Sequence, residues 1–473
     1  MNFKIAAFSA FFLLTVVSQD AGAAAVKSTL ADQKAVEVTV YNNNLALVKD
    51  TREIKIEEGT GELYFMDVAS SINPVTVSVR NLDEASTFEI LEQNYEYDLI
   101  SQEKLLEKYV GKNLKIMQWN EFQDRKEIVD ALLVSNNGSP IYKIDNQIYL
   151  NYDGVKILPE IPENLIEKPT LAWLYQNKGA GNRKLEVSYL TSDMGWHADY
   201  VFVLDAEDAA GDLSGWVTLD NKSGTAYQNA SLKLVAGDVN QVQQHQKERM
   251  ELRMTMADAA APQFQERSFF EYHIYDLQRP ATLKNNQTKQ VRFIDAGAIK
   301  VAKEYVLESF PHFFYGGYQG GEPKQPVAVR LKIMNKAENN LGMPLPAGVL
   351  RIYKKDTDGT IQFAGEDSLQ HTPKDEEIEL KIGNAFDVTA ERVQTDFQQK
   401  TQSLYETEWE IHIRNHKDKD IVVNVREGFG GGWKIISNSH SYEKKDAFTA
   451  EFQVSVPAGK EETLHYRVSV GLS

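Results

Sequence analysis

The residues best suited to chemistry lie between positions 366 and 375. Glu366, Asp367, His371 and Asp375 bring three carboxylates and one imidazole into a single short stretch. Such groups can pair as general acid and base, or together ligate a divalent cation. The surrounding residues point to a plainer role. Asp367 reads as the start of a turn, Thr372-Pro373 fixes an extended approach, and Asp375 to Glu377 lead into a strand. The stretch is therefore expected to be a solvated connection. The alternative is a metal-dependent or acid/base hydrolase, which would require Glu366, His371 and Asp375 to meet another polar group in a concave pocket.

A second group is aromatic. Within Phe310-Pro311-His312-Phe313-Phe314-Tyr315-Gly316-Gly317-Tyr318, the rings of Phe314, Tyr315 and Tyr318 offer faces on which a sugar or peptide could stack. The competing expectation is that Phe313 and Tyr315 pack inward from a strand end. His197 sits beside Trp196, where a polar neighbour to a core tryptophan is the commoner arrangement. His412 and His416 are four residues apart on a strand, roughly 13 Å, so one metal cannot join them directly. The chain has no G-x-S-x-G elbow, H-E-x-x-H helix or Walker A loop. Asp356 and Asp358 resemble calcium-loop positions, but Lys354 fills the first ligand slot, so a hairpin turn is expected there. The absence of cysteine excludes thiol nucleophiles, thiolate metal sites and disulfides. No catalytic residue, cofactor or metal follows from these patterns.

The elements that must carry these residues are strands. Val36, Val38 and Val40 alternate with Glu37 and Thr39, and Trp409, Ile411 and Ile413 alternate with Glu410, His412 and Arg414. The same period recurs through Leu464, Tyr466, Val468 and Val470, placing apolar side chains on one face and polar ones toward water. Asn137-Gly138, Asp153-Gly154 and Asp358-Gly359 supply the positive φ that tight hairpins need. The fold class is therefore all-β and multi-domain, built of Ig-like β-sandwiches.

Four consecutive units are expected. Residues 34–95 form an N-terminal β domain. Residues 96–170 begin with a short helix capped by Ser101 and ended by Gly111, followed by strands at Leu114–Trp119, Ile128–Val134, Ile141–Ile144, Gln147–Leu150 and Val155–Leu158. Five strands in so little chain predict a small SH3-like or Sm-like barrel. Residues 184–300 form a third unit, interrupted at 239–267 by a Gln- and Met-bearing insertion without a sustained helical period. A C-terminal sandwich completes the chain over 301–473.

Several stretches of the last two units resemble the family named domain of unknown function 4139, relatives of so-called mucoidy inhibitor proteins. They are Gly195-Trp196-His197-Ala198-Asp199-Tyr200, Asn221 to Gly224 with Ala230 to Asp238, Phe270 to Leu277, Pro344-Leu345-Pro346-Ala347-Gly348, Arg351-Ile352-Tyr353, Gly365-Glu366-Asp367, His371-Thr372-Pro373 and Ala385 to Val388. The resemblance implies an exported all-β protein and supplies no catalytic residues.

The chain's address and charge complete the picture. Lys4 precedes an uncharged run from Ile5 to Val17, and Ala21-Gly22-Ala23-Ala24-Ala25 follows. That order is a secretory signal peptide over residues 1–25, cleaved near Ala23 or Ala25, and the run is too short to span a bilayer. The mature protein is expected to be periplasmic or secreted, with no transmembrane segment. A net charge of −17, from 51 Lys and Arg against 68 Asp and Glu, argues against nucleic acid as a partner. The partners expected are an envelope protein or polysaccharide. Expressed in a bacterial host, the mature chain should begin at Ala24 or Val26. Intact-mass measurement checks this, and an uncleaved Met1 terminus would contradict it.

Overall fold

The computed structural model describes residues 25–83, 87–96, 100–120, 124–162, 165–237, 264–316 and 324–471. The expected signal peptide and Tyr318 lie outside them. The protein is all-β, with several sheets, none of them closed among the described residues. Two compact units divide the chain: Met1–Val36, Val48–Thr191 and Ser223–Thr225 make the first, and Glu37–Leu47, Ser192–Lys222 and Ala226–Ser473 make the second. Each unit gathers stretches far apart in sequence.

In the first unit, β1 (Val26–Ser28), β4 (Gly59–Met66), β12 (Thr170–Asn177) and β6 (Phe88–Glu96) form one sheet in that order. The strands β3 (Leu45–Ile56, from Val48 onward in this unit), β13 (Gly181–Ser192) and β5 (Ser78–Asn81) follow one another in another sheet, in which β13 pairs antiparallel with β5. Alternation sends Leu63 and Phe65 of β4 and Leu171, Trp173 and Tyr175 of β12 into the core. The buried Arg52 guanidinium lies 3.6 Å from the Phe65 ring centre. It donates to Asp50 Oδ2 at 2.8 Å and to the carbonyls of Ser28 and Met66.

The expected helix is present as α1, Gln102–Lys108, with the Ser101 hydroxyl accepting from the Lys104 amide. After it come β7 (Asn113–Asn120), β8 (Arg125–Ser135), β9 (Ile141–Ile144), β10 (Gln147–Leu150) and β11 (Val155–Ile157). All five expected strands form, but in the order β10-β9-β8-β7-β11, with no pairing between the edge strands. The result is an open antiparallel sheet and not a closed barrel. Asp153-Gly154 makes no hairpin, because β11 turns away from β10 to pair with β7. The tight turn is instead Asp145-Asn146, with φ of 47° and 66° between β9 and β10.

The second unit contains the remaining strands. One sheet runs β23 (Ile361–Leu369), β22 (Gly348–Lys355), β14 (Met194–Leu204), β15 (Ala210–Asn221) and β20 (Gln287–Glu308). Beyond β20 the ladder continues through β21 (Lys324–Met334), β24 (Glu377–Thr401), β25 (Leu404–Asn415), β30 (Glu461–Gly471) and β27 (Trp433–Asn438). The strands β26 (Ile421–Gly428), β29 (Thr449–Val456) and β28 (Tyr442–Lys444) complete the C-terminal sandwich, with β26 parallel to β20. The expected boundary at 300/301 falls inside β20, a strand of 22 residues. No linker separates the two regions: up to Lys300 the strand pairs with β15, and from Val301 with β21.

A separate sheet is built on β16 (Tyr227–Ala236), which pairs parallel with Glu37–Tyr41 of β2 (Gln33–Tyr41) and antiparallel with β18 (Tyr272–Leu277) and β19 (Ala281–Leu283). The expected insertion is shorter at its C-terminal end, because β17 (Phe264–Phe269) pairs with β18. Residues 238–263 lie outside the described residues.

The sandwich core contains Trp409, Ile411 and Ile413 from β25, Val423 and Val425 from β26, Phe452 and Val454 from β29, and Leu464, Tyr466 and Val468 from β30. The alternation read from sequence thus sets which side chains enter. Among them lies a fully buried ion pair. Arg392 of β24 donates through both terminal nitrogens to the Glu427 carboxylate of β26, at 2.7 and 3.0 Å, and through Nε to Gln325 at 3.1 Å. Burial opposes the charge on Arg392, but the Glu427 carboxylate outweighs it and raises the guanidinium pKa. Replacing one partner of such a pair strands the other, at a cost of about 3–5 kcal/mol. Arg392→Met should therefore lower the urea midpoint sharply, and adding Glu427→Leu should recover most of the loss. Equal loss in the single and double variants would show that the pairing is not what matters.

Candidate functional site

The four side chains of the 366–375 stretch do not converge. Glu366 and Asp367 are consecutive residues of β23, so Asp367 lies within a strand and does not open a turn. The alternation of the strand sends the two to opposite faces. Asp367 accepts amide protons from Ser368 at 2.8 Å and Lys381 at 2.7 Å. His371 Nδ1 accepts the Ala347 amide at 3.1 Å. Asp375 occupies a left-handed turn, its amide on the Asn335 carbonyl. Among the described residues, no group of three or more His, Cys, Asp or Glu is placed to hold a metal ion.

The aromatic stretch divides in another way. Residues Pro311–Phe314 form a 3-10 turn that drives Phe314 fully into the core, 4.7 Å from the Phe429 ring and 5.9 Å from Trp409. Phe314 is therefore unavailable for stacking. Tyr315 is half-buried, 5.9 Å from the Tyr405 ring. In the first unit, a cleft of about 360 Å³ lies between β5 and β6. Its walls are Val77, Val79, Phe88 and Ile90 with Asn81, Gln93 and one carboxylate, Glu89, so it offers no acid/base pair.

Glu366 has different partners, on the outward face of the sheet β23-β22-β14-β15-β20. Its carboxylate lies 3.4 Å from Arg351 Nε on β22, and Arg351 Nη1 donates to Asp199 Oδ1 on β14 at 3.1 Å. The other Asp199 oxygen accepts Thr218 Oγ1 of β15 at 2.9 Å and lies 3.3 Å from His197 Nε2. Gln290 of β20 donates to Thr218 at 3.1 Å, so one polar chain crosses all five strands. Both oxygens of Asp199 are engaged, and the Thr218 proton points to Asp199 and not to His197. The arrangement thus lacks the base-to-nucleophile bond that nucleophilic catalysis needs.

Three rings share this face. Trp216 pairs across the ladder with Asp199 and is 39% exposed, and Phe363 is 57% exposed with Tyr353 5.5 Å away edge-on. The sequence reading missed all three, although a signal for one was present. Leu213, Val217 and Leu219 are the buried phase of β15, which puts Trp216 in the outward phase, where a large ring is unusual. Phe363 gave no such signal, because the bulge between β22 and β23 breaks the alternation there.

The stretches that carried the resemblance serve packing behind this face. Tyr200 donates to the Pro346 carbonyl at 2.9 Å, Tyr275 to the Pro344 carbonyl at 3.1 Å, and Trp196 to the Val235 carbonyl at 3.2 Å. The first fixes the Pro344–Gly348 turn to β14, the second fixes it to β18, and the third ties β14 to β16; Gly348 itself pairs directly with Ala198. A Cβ on Gly348 would stand 2.1 Å from the Ala198 carbonyl oxygen, so only glycine fits.

The fold and face define an all-β protein whose most exposed chemistry lies on a sheet and not in an active-site cleft. The chain belongs to the family described as domain of unknown function (DUF4139), which matches residues 185–472. No curated protein matches it.

Gly348→Ala should force β14 and β22 apart and lower the unfolding free energy by about 1–3 kcal/mol, the usual range for overpacking. Gly383→Ala, where an added Cβ meets nothing within 4 Å, is the control. Chemical denaturation of both variants checks this, and equal stability would place the constraint elsewhere.

Proposed function

We propose that this is an exported, non-catalytic β-sandwich protein that binds or organises components of the bacterial cell envelope. The observation that carries the reading is the outward face of β23-β22-β14-β15-β20. It joins exposed rings to a hydrogen-bonded polar row with no acid/base pair left unengaged. Exposed aromatic patches of this kind commonly mark binding surfaces. The charged and apolar order of residues 1–25 supports export, and both expected cleavage positions precede β1, so processing would remove no paired strand residue. No helix among the described residues is long and apolar enough to cross a membrane.

Fractionation of cells producing the full chain should place the processed protein in the periplasm or medium. A photo-crosslinking benzoylphenylalanine at position 363 should label an envelope component well above the same group at Phe386, a residue 94% exposed on β24. Cytoplasmic retention of the uncleaved chain, or equal labelling at the two positions, would overturn the proposal.

A further inference from the structure

We infer that the outward face of β23-β22-β14-β15-β20 is a binding platform for an uncharged glycan chain, lying diagonally from Trp216 to the Tyr353–Phe363 pair. The inference rests on the binding role proposed above and names the ligand class for that same face. Its first support is the placement of the rings. Trp216 lies opposite Asp199, Asp199 lies opposite Val349, and Tyr353 is four residues further along β22. Two strand spacings across and four residues along put the ring sites roughly 16 Å apart. One sugar ring cannot reach both, whereas an oligosaccharide can.

The second support is charge. The cations around the diagonal already have carboxylates: Arg351 meets Asp199 and Glu366, Arg292 meets Asp295 at 3.0 Å, and Lys355 approaches Asp212 at 3.9 Å. An anionic or cationic polymer would have to displace these pairs. A polyol would instead use them as they stand, because paired carboxylates keep acceptor lone pairs and guanidinium keeps donors. Between the rings, Arg351 and Glu366 provide both kinds of group along the diagonal.

The third support distinguishes a glycan from a polypeptide. An extended peptide gains affinity by adding its backbone to a sheet edge. Here β14, β15 and β22 are interior strands, paired on both sides. Their amides and carbonyls are committed to the ladder, so a ligand on this face meets only side chains. Alternating ring faces and polar groups suit a chain of pyranoses, with its apolar C–H faces and ring of hydroxyls.

The test uses the processed full chain and soluble neutral hexasaccharides: cellohexaose, chitohexaose, mannohexaose and maltohexaose. Titration should show that at least one binds and quenches tryptophan fluorescence. Its disaccharide should bind at least tenfold more weakly. Trp216→Ala and Phe363→Ala should each weaken hexasaccharide binding by roughly five- to tenfold, as loss of one stacked ring predicts, while Phe386→Ala leaves it unchanged. Both rings are exposed, and thermal melting of each variant confirms that it is folded. Binding of none of the four, or binding that both substitutions leave intact, would overturn the glycan inference. If position 363 nevertheless crosslinks a protein in cells, the binding role stands and the ligand class falls. If it crosslinks nothing above the control, the binding role falls as well.

Discussion

The backbone ladder of β20 is the constraint on which the second unit depends. Its first half closes the sheet that bears the ring-and-polar face, and its second half opens the C-terminal sandwich. Just before the change of partner at Lys300/Val301, the pairing with β15 bulges at Gly297-Ala298, where Ala298 adopts a φ of 56°. That conformation costs an alanine about 1–2 kcal/mol and persists only where its surroundings fix it. They do so here. The Ala298 amide donates to Asp212 at 3.0 Å, Asn340 donates to the Gly297 carbonyl at 2.9 Å, and the Asn339 side chain both accepts from and donates to Lys300. Two sheets are thus joined through one continuous strand and a clamped bulge, which leaves no slack between the face and the sandwich behind it.

Without cysteine, the protein needs another means of fixing how its layers face one another. In each unit an arginine is buried with a carboxylate and reaches another strand: Arg52, paired with Asp50 of its own strand, donates to the carbonyls of Ser28 on β1 and Met66 on β4, and Arg392 of β24 pairs with Glu427 of β26. Such pairs add little net stability, since removing two charges from water costs nearly as much as their attraction returns. They are, however, highly specific in position. A slip of one residue along β24 would send Arg392 to solvent and leave Glu427 alone in the core. Apolar packing holds the sandwiches together, and the guanidinium groups fix the register in which they pack.

Much of the fold was legible in the sequence, because period-two alternation is a local property. It places the five strands of the 113–158 stretch with ends that differ by at most three residues, and it gives the buried phase of β25 and β30. Pairing is not local, and there the reading failed. Nothing in Val155–Ile157 shows that it joins β7 in place of β10, so alternation alone does not distinguish an open sheet from a barrel. The site was less legible still. The Phe310–Tyr318 stretch drew attention by its density of rings, yet Trp409, far along the chain, is what draws Phe314 inward. Glu366 meets partners that its neighbours in sequence do not suggest. His371 and Asp375 are near it in sequence, while Arg351 and Asp199 are its neighbours across the sheet.

The pairing of Glu37 through Tyr41 with Ser231 through Val235 in parallel register has a kinetic consequence. The early strand must wait for a partner nearly two hundred residues later in the chain, and closing a loop of that size precedes any gain from the contacts it allows. Topologies dominated by such distant pairings fold slowly. During synthesis, Glu37–Tyr41 therefore stands without this partner until about half of the chain has been made, and the edge it offers meanwhile must be kept from other strands.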